Sequence, residues 1–150
     1  MVFHLNGPDC QIDEEGEGSL CPDGMHYYFE YFQETEFEFD SVDALKDVGT
    51  SCLVTRGATS STGVFFAVNN FVTSSTADAF STDVEATAAE VNALDFANRR
   101  IKKCAALIQE GPYRGEGDVN VMYVDYWSIG DIVQVVQEHN QNLGLYSERR

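Results

Sequence analysis

Two periods organise this chain. Between residues 27 and 40 the period is two: Tyr27, Phe29, Tyr31, Phe37 and Phe39 alternate with Tyr28, Glu30, Phe32, Glu34, Glu36, Glu38 and Asp40. Successive side chains of a strand point to opposite faces, so the pattern predicts strands 27–32 and 36–40, turning near Gln33-Glu34-Thr35. Apolar runs predict further strands at 51–56 and 63–72, joined by a hairpin loop Gly57–Thr62, and a fifth at 119–127 with Val119, Val121, Tyr123 and Trp127 on one face. Phe65, Phe66, Val68 and Phe71 supply core bulk. One mostly antiparallel sheet accommodates all five.

The second period is 3.6. Val84, Ala88, Val91, Leu94, Ile101, Cys104, Ala105 and Ile108 form a helical stripe between a Thr82/Glu85 capping box and a Gly111-Pro112 stop. This predicts one long helix, 82–110, packed on a sheet face. A short helix is expected at 42–48, capped by Ser41 and stopped by Gly49. A last one is expected near 129–143, opened by Ser128 and Asp131 and carrying Ile129, Ile132, Val133 and Val136. The fold class is therefore α+β, one domain over 1–150, with an irregular acidic arm at about 1–25. A chain of this length buries roughly 70% of its unfolded surface.

Charge changes the picture because it is uneven. Of 25 carboxylates, 13 lie in the first 50 residues, against the single base Lys46. Clustered like charge focuses field and steers partners. The arm contributes Asp13, Glu14, Glu15 and Glu17; the alternating segment contributes Glu30, Glu34, Glu36, Glu38 and Asp40, which a strand would hold in one row. Both sets are candidate contacts for a basic protein. Arg99, Arg100, Lys102 and Lys103 form the one basic cluster and a candidate second contact, besides complementing the helix macrodipole. A net charge of −16 argues against direct binding to nucleic acid or anionic lipid. No apolar run reaches the ~18 residues of a membrane span. Nor does the N-terminus have the basic and apolar regions of a secretory signal, so an intracellular or virion protein is expected.

Little chemistry is legible. Cys52 and Cys104 read as reduced core residues. Cys10 and Cys21, with His4 and His26 nearby, miss the two-to-four-residue spacing of zinc ligands, and no metal site or cofactor is expected. His139 sits among Gln and Asn on the last helix and reads as exposed, which leaves a nucleophile without a base. Dinucleotide and phosphate-loop motifs are missing. The chain therefore reads as a non-enzymatic structural or adaptor protein of a larger assembly, for example a small virion, neck or tail component. It would act through its acidic surface and basic helix patch, with copies associating into a ring or other oligomer. The alternatives are an acidic nucleic-acid mimic occupying a basic groove and a small enzyme or binding domain adapted to salt.

Overall fold

The computed structural model describes residues 2–4, 25–57, 65–73, 83–110 and 118–143. Most of the acidic arm, including Cys10, Asp13, Glu14, Glu15, Glu17 and Cys21, lies outside the described residues, as does the loop expected at 58–62. Val2–His4 (β1) pairs in parallel with Met25–Tyr27 (β2) as a separate two-stranded ladder.

The main sheet comprises Phe32–Thr35 (β3), Val54–Gly57 (β4), Phe65–Asn69 (β5) and Val121–Tyr123 (β6), in the order β4-β3-β5-β6. The chain is mixed α+β. The mostly antiparallel arrangement does not hold: β3, β5 and β6 run parallel and β4 alone is antiparallel. Two helices between β5 and β6 carry the chain back to its starting end, which a parallel pair requires. β4 and β5 make no hairpin, because β3 lies between them.

The expected turn at Gln33-Glu34-Thr35 is part of β3, and all four residues of this inner strand are buried. The strand expected at 27–32 is instead a single helical turn, Tyr28–Tyr31 (α1). Positions 27–32 are aromatic except Glu30, so periods of two and 3.6 fit equally well. The helical spacing prevails: Tyr28 and Phe32, four residues apart, stack with centroids at 4.1 Å. Nor is there a strand at 36–40, where Glu36 Oε1 accepts from the backbone N–H of Phe37 and Glu38 and sets a tight turn.

Val42–Lys46 (α2) starts at Ser41, whose Oγ accepts from Ala44 N–H. Gly49 does not stop it; Gly49 lies inside a second turn, Val48–Ser51 (α3). The long helix is two, Asp83–Val91 (α4) and Leu94–Glu110 (α5), because Asn92 breaks it. The fully buried Asn92 amide donates to the carbonyls of Asp125 and Ile129, and its own backbone carbonyl accepts from Asp131 N–H. Asp131 stands at the N-cap of Ile132–Asn142 (α6), yet its side chain accepts from Leu94 N–H, the start of α5. Gly130 makes this junction possible: it has φ +85°, and a Cβ there would lie 2.8 Å from Asn92 Cβ and O.

The main core lies on the α5/α6 side of the sheet, where Phe66 and Val68 meet Ala97, Ile101, Cys104, Ile108, Ile132 and Val135. Val91, Ile101 and Ile108 are buried as the stripe predicts, and Leu94 is half-buried. On α6 the buried positions are Ile132 and Val135, whereas Val133 and Val136 face solvent. Trp127 lies beyond β6 and is 68% exposed. His139 is largely covered, with Nε2 3.2 Å from Asp118 Oδ1.

Two further corrections concern the contact between α3 and α5. Cys52 and Cys104 are joined in a buried disulfide with Cα atoms 5.0 Å apart. Arg100 leaves the basic cluster altogether, being 2% exposed. Its guanidinium donates to Leu45 O (3.1 Å), Ser51 O (3.0 Å), Asn69 O (2.9 Å) and Ser51 Oγ, and stands over the Phe39 ring. Burial lowers its pKa to about 10, which leaves it cationic at neutral pH. Among the described residues no helix is long and apolar enough to cross a membrane.

Urea titration tests both contacts. Cys52→Ala with Cys104→Ala opens a cross-link spanning 52 residues and should lower unfolding free energy by ~4 kcal/mol. Arg100→Leu takes a donor from four acceptors, of which Leu45 O keeps the Ser51 hydroxyl, and should cost ~3–5 kcal/mol by the same measurement. A loss below about 1 kcal/mol in either case would contradict the stabilising role assigned to that contact.

Candidate functional site

The register places one set of side chains on the sheet face opposite α5. Gln33 pairs with Gly57 and Phe66, Glu34 with Arg56 and Ala67, and Asn69 with Tyr123. Alternation then puts Phe32, Glu34, Arg56, Phe65, Ala67, Asn69, Val121 and Tyr123 on this face. The half nearer the strands' amino ends is apolar and covered by α1, with Tyr28 against Phe32 and Ala67. The half nearer the carboxyl ends of β3, β5 and β6 is polar. Each of the four strands contributes one polar residue: Arg56, Glu34, Asn69 and Tyr123.

Those four side chains form part of the lining of a cleft of about 880 Å³. Its walls come from the segments leaving the parallel strands: Glu36, Phe37 and Glu38 after β3, Phe71 and Thr73 after β5, and Val124 and Asp125 after β6. Open sheets with parallel strands characteristically bind ligands outside their carboxyl ends, where the segments leaving the strands diverge. The volume also falls in the range of ligand clefts.

The floor is held by its own polar contacts. The Asn69 amide donates to Glu34 Oε1 (2.8 Å), Thr35 O (3.1 Å) and Glu36 O (3.3 Å), and Asn69 N–H donates to Thr35 Oγ1. Glu34 Oε2 faces Arg56 Nη1 at 3.6 Å, an ion pair too long for a hydrogen bond. The Arg56 guanidinium lies between two phenyl rings, 4.8 Å from Phe29 and 5.2 Å from Phe37. Tyr123 O–H donates to the Tyr28 hydroxyl across 3.2 Å. Burial first, then that hydrogen bond and the nearby Tyr123 and Glu34, push the Tyr28 pKa well above the ordinary phenol value against the opposing charge of Arg56. Among the described residues Glu34 Oε2 and Asn69 Oδ1 are buried acceptors without a hydrogen-bond donor.

The expected carboxylate row is dispersed. Glu34 is buried in the floor, Glu36 is half-buried at the rim, and Glu38 is exposed there. Glu30 is exposed on α1, and Asp40 is exposed beside Ser41, whose hydroxyl donates to it. Of the basic cluster, Arg99, Lys102 and Lys103 are exposed on α5. Among the described residues no three His, Cys, Asp or Glu side chains converge as metal ligands.

Sequence reasoning passed over Arg56, Asn69, Tyr123 and Asp125 as site residues; they come from three distant parts of the chain. One signal was available: Asn69-Asn70, two amides directly after the apolar run Phe65–Val68. Asn70 serves the same strand end, donating its backbone N–H to Tyr123 O and its side-chain amide to Val91 O. No protein-family model, no curated protein and no solved structure matches the chain.

Asn69→Asp tests the floor. It places a second carboxylate against Glu34 Oε1 and removes the amide donor. The loss of stability should be larger at pH 7 than at pH 4, where a shared proton relieves the repulsion. An equal loss at both pH values in urea titrations contradicts the Asn69–Glu34 contact.

Proposed function

We propose that the protein is a non-enzymatic adaptor or structural component of a larger assembly, such as a small virion, neck or tail component, and that it docks basic protein surfaces on the acidic rim of the cleft. The observation that carries this reading is the segregation of unpaired charge. Among the described residues Glu36, Glu38, Asp40 and Asp125 make no ion pair, and neither do Arg99, Lys102 and Lys103 on α5. Lys46 is engaged by Asp43 and Glu90, Arg56 by Glu34, and Arg100 by the core. Unpaired carboxylates also lie at Glu30, Asp47, Glu85 and Asp95, and Glu138 feels the charge of Lys102, but acid is densest at the cleft rim and base along α5. Both suit protein partners, and together they suit head-to-tail association of copies into a ring or other oligomer.

The floor favours recognition over catalysis. Glu34 Oε1 is held by the Asn69 amide and Oε2 faces Arg56, and the Tyr28 hydroxyl resists ionisation, so Tyr28 is not poised to move a proton at neutral pH. An intracellular or virion setting belongs to the proposal. The Cys52–Cys104 bond favours the particle-borne case, since disulfides persist where the cytosolic reductants do not reach. Mimicry of nucleic acid is the weaker reading, because burying Glu34 breaks the regular row of charge that would imitate phosphates.

Glu36→Gln, Glu38→Gln and Asp125→Asn combined should leave the fold intact, since the new amide oxygen at position 36 still accepts for the turn. The triple variant should weaken binding of a lysine-rich peptide and flatten its salt dependence. Unchanged affinity at low salt would remove the rim as a docking surface. For self-association, Arg99→Glu with Lys103→Glu should abolish any oligomer seen by light scattering at low salt. A wild-type protein that stays monomeric at high concentration leaves only heterologous partners.

A further inference from the structure

We infer that the cleft is an anchor pocket for one organic cation, the guanidinium or ammonium head of an arginine or lysine side chain carried by a docked protein. This rests on the reading of the rim as a docking surface and specifies what enters it. Three observations support it.

The first is the pair of unsatisfied acceptors. Glu34 is 3% exposed and Asn69 0% exposed, both residues line the cleft, and among the described residues Glu34 Oε2 and Asn69 Oδ1 lack hydrogen-bond donors. Buried acceptors without donors cost free energy and leave the floor short of donors, so a cation beside it suits the floor where a phosphate or carboxylate does not. The second is the sign of the lining. Glu34, Glu36, Glu38 and Asp125 carry four negative charges against the single positive charge of Arg56. The third is the behaviour of Arg56 itself. Its guanidinium sits between Phe29 and Phe37 and faces Glu34 Oε2, so this face already receives a cation through phenyl faces and a carboxylate. Phe37 meets Phe71 edge-on with centroids at 5.3 Å, which offers an apolar wall for the stem of an incoming side chain. A metal ion fits less well, because Arg56 stands among the carboxylates and no metal-ligating trio converges among the described residues.

Calorimetric titration of the wild-type chain at low salt tests this with four probes: a capped tripeptide with a central arginine, spermidine, inorganic phosphate and the lysine-rich peptide. The tripeptide should bind, phosphate should not, and spermidine should bind no more tightly than the tripeptide. Phe37→Ala, with folding verified by circular dichroism, should weaken the tripeptide about threefold to fivefold, the fold-change equivalent to one exposed cation–π contact. Asp125→Asn should weaken it as well and reduce its salt dependence. Phosphate binding comparable to the tripeptide would overturn the inference, as would tripeptide affinity insensitive to both variants. Tighter binding of spermidine would assign the pocket to a free polyamine and overturn the protein side chain as occupant. The two readings fail separately. If the lysine-rich peptide binds through the rim but the tripeptide does not bind, docking stands and the pocket falls. If the tripeptide binds but the lysine-rich peptide does not, the pocket stands and docking falls.

Discussion

A buried guanidinium with no carboxylate beside it among the described residues constrains the rest of this fold. Arg100 enters the interior from α5 and meets neutral acceptors only: the carbonyls of Leu45, Ser51 and Asn69 and the hydroxyl of Ser51. Removing a full charge from water is expensive, and these hydrogen bonds with the Phe39 ring are what offset it. The geometry cannot relax without cost. Leu45 ends up buried beside α3, Ser51 must present both its carbonyl and its hydroxyl to α5, and the end of β5 must bring Asn69 O within reach. The Cys52–Cys104 bond closes the same contact one turn further along α5. One side chain thus fixes α2, α3, α5 and β5 relative to one another.

The same residue that accepts from Arg100 builds the site. The Asn69 carbonyl faces the helix side, and its side-chain amide faces the cleft and holds Glu34, which in turn faces Arg56. A polar chain therefore runs through the sheet, from a buried cation on one side to a half-exposed cation on the other. It explains why β3 tolerates Glu34 and Thr35 in a buried strand, because polar groups are admitted to an interior where partners are built for them. It also sets the character of the cleft, in which an anion and an amide form the floor and further carboxylates line the rim.

Part of this was legible in the chain. The stripe from Val84 to Ile108 identified a helical surface against the core, and the Ser41 cap marked α2 correctly. The break at Asn92 was hidden because Asn92 and Ala93 keep the 3.6-residue phase on both sides, and the contacts that make the break come from residues 125–131. The hairpin at 27–40 failed because alternating polar residues read as a solvated face, whereas β3 has neighbours on both sides. Arg100 shows the same limit more sharply. It stands beside Arg99 and close to Lys102, and although its place four residues before Cys104 puts it at the edge of the apolar stripe, its charge reads as surface until the contacts from α3 and β5 are known. Pairing of Cys52 with Cys104 likewise depends on tertiary distance. The cleft was the least legible feature, since its floor takes one residue from each of four strands and none of them forms a local motif.

Arg99 and Arg100 provide an internal comparison for the role of the buried guanidinium. Solvent exchange of their guanidinium protons can be followed by nuclear magnetic resonance on a sample labelled with nitrogen-15 at arginine. The Arg100 Nη protons should exchange at least about a hundredfold more slowly than those of Arg99, on the order expected for a buried, hydrogen-bonded group, and should show contacts to Ser51 and Asn69. Equally fast exchange at both residues, with no contact from Arg100 to either partner, would contradict a guanidinium held in the interior by those acceptors.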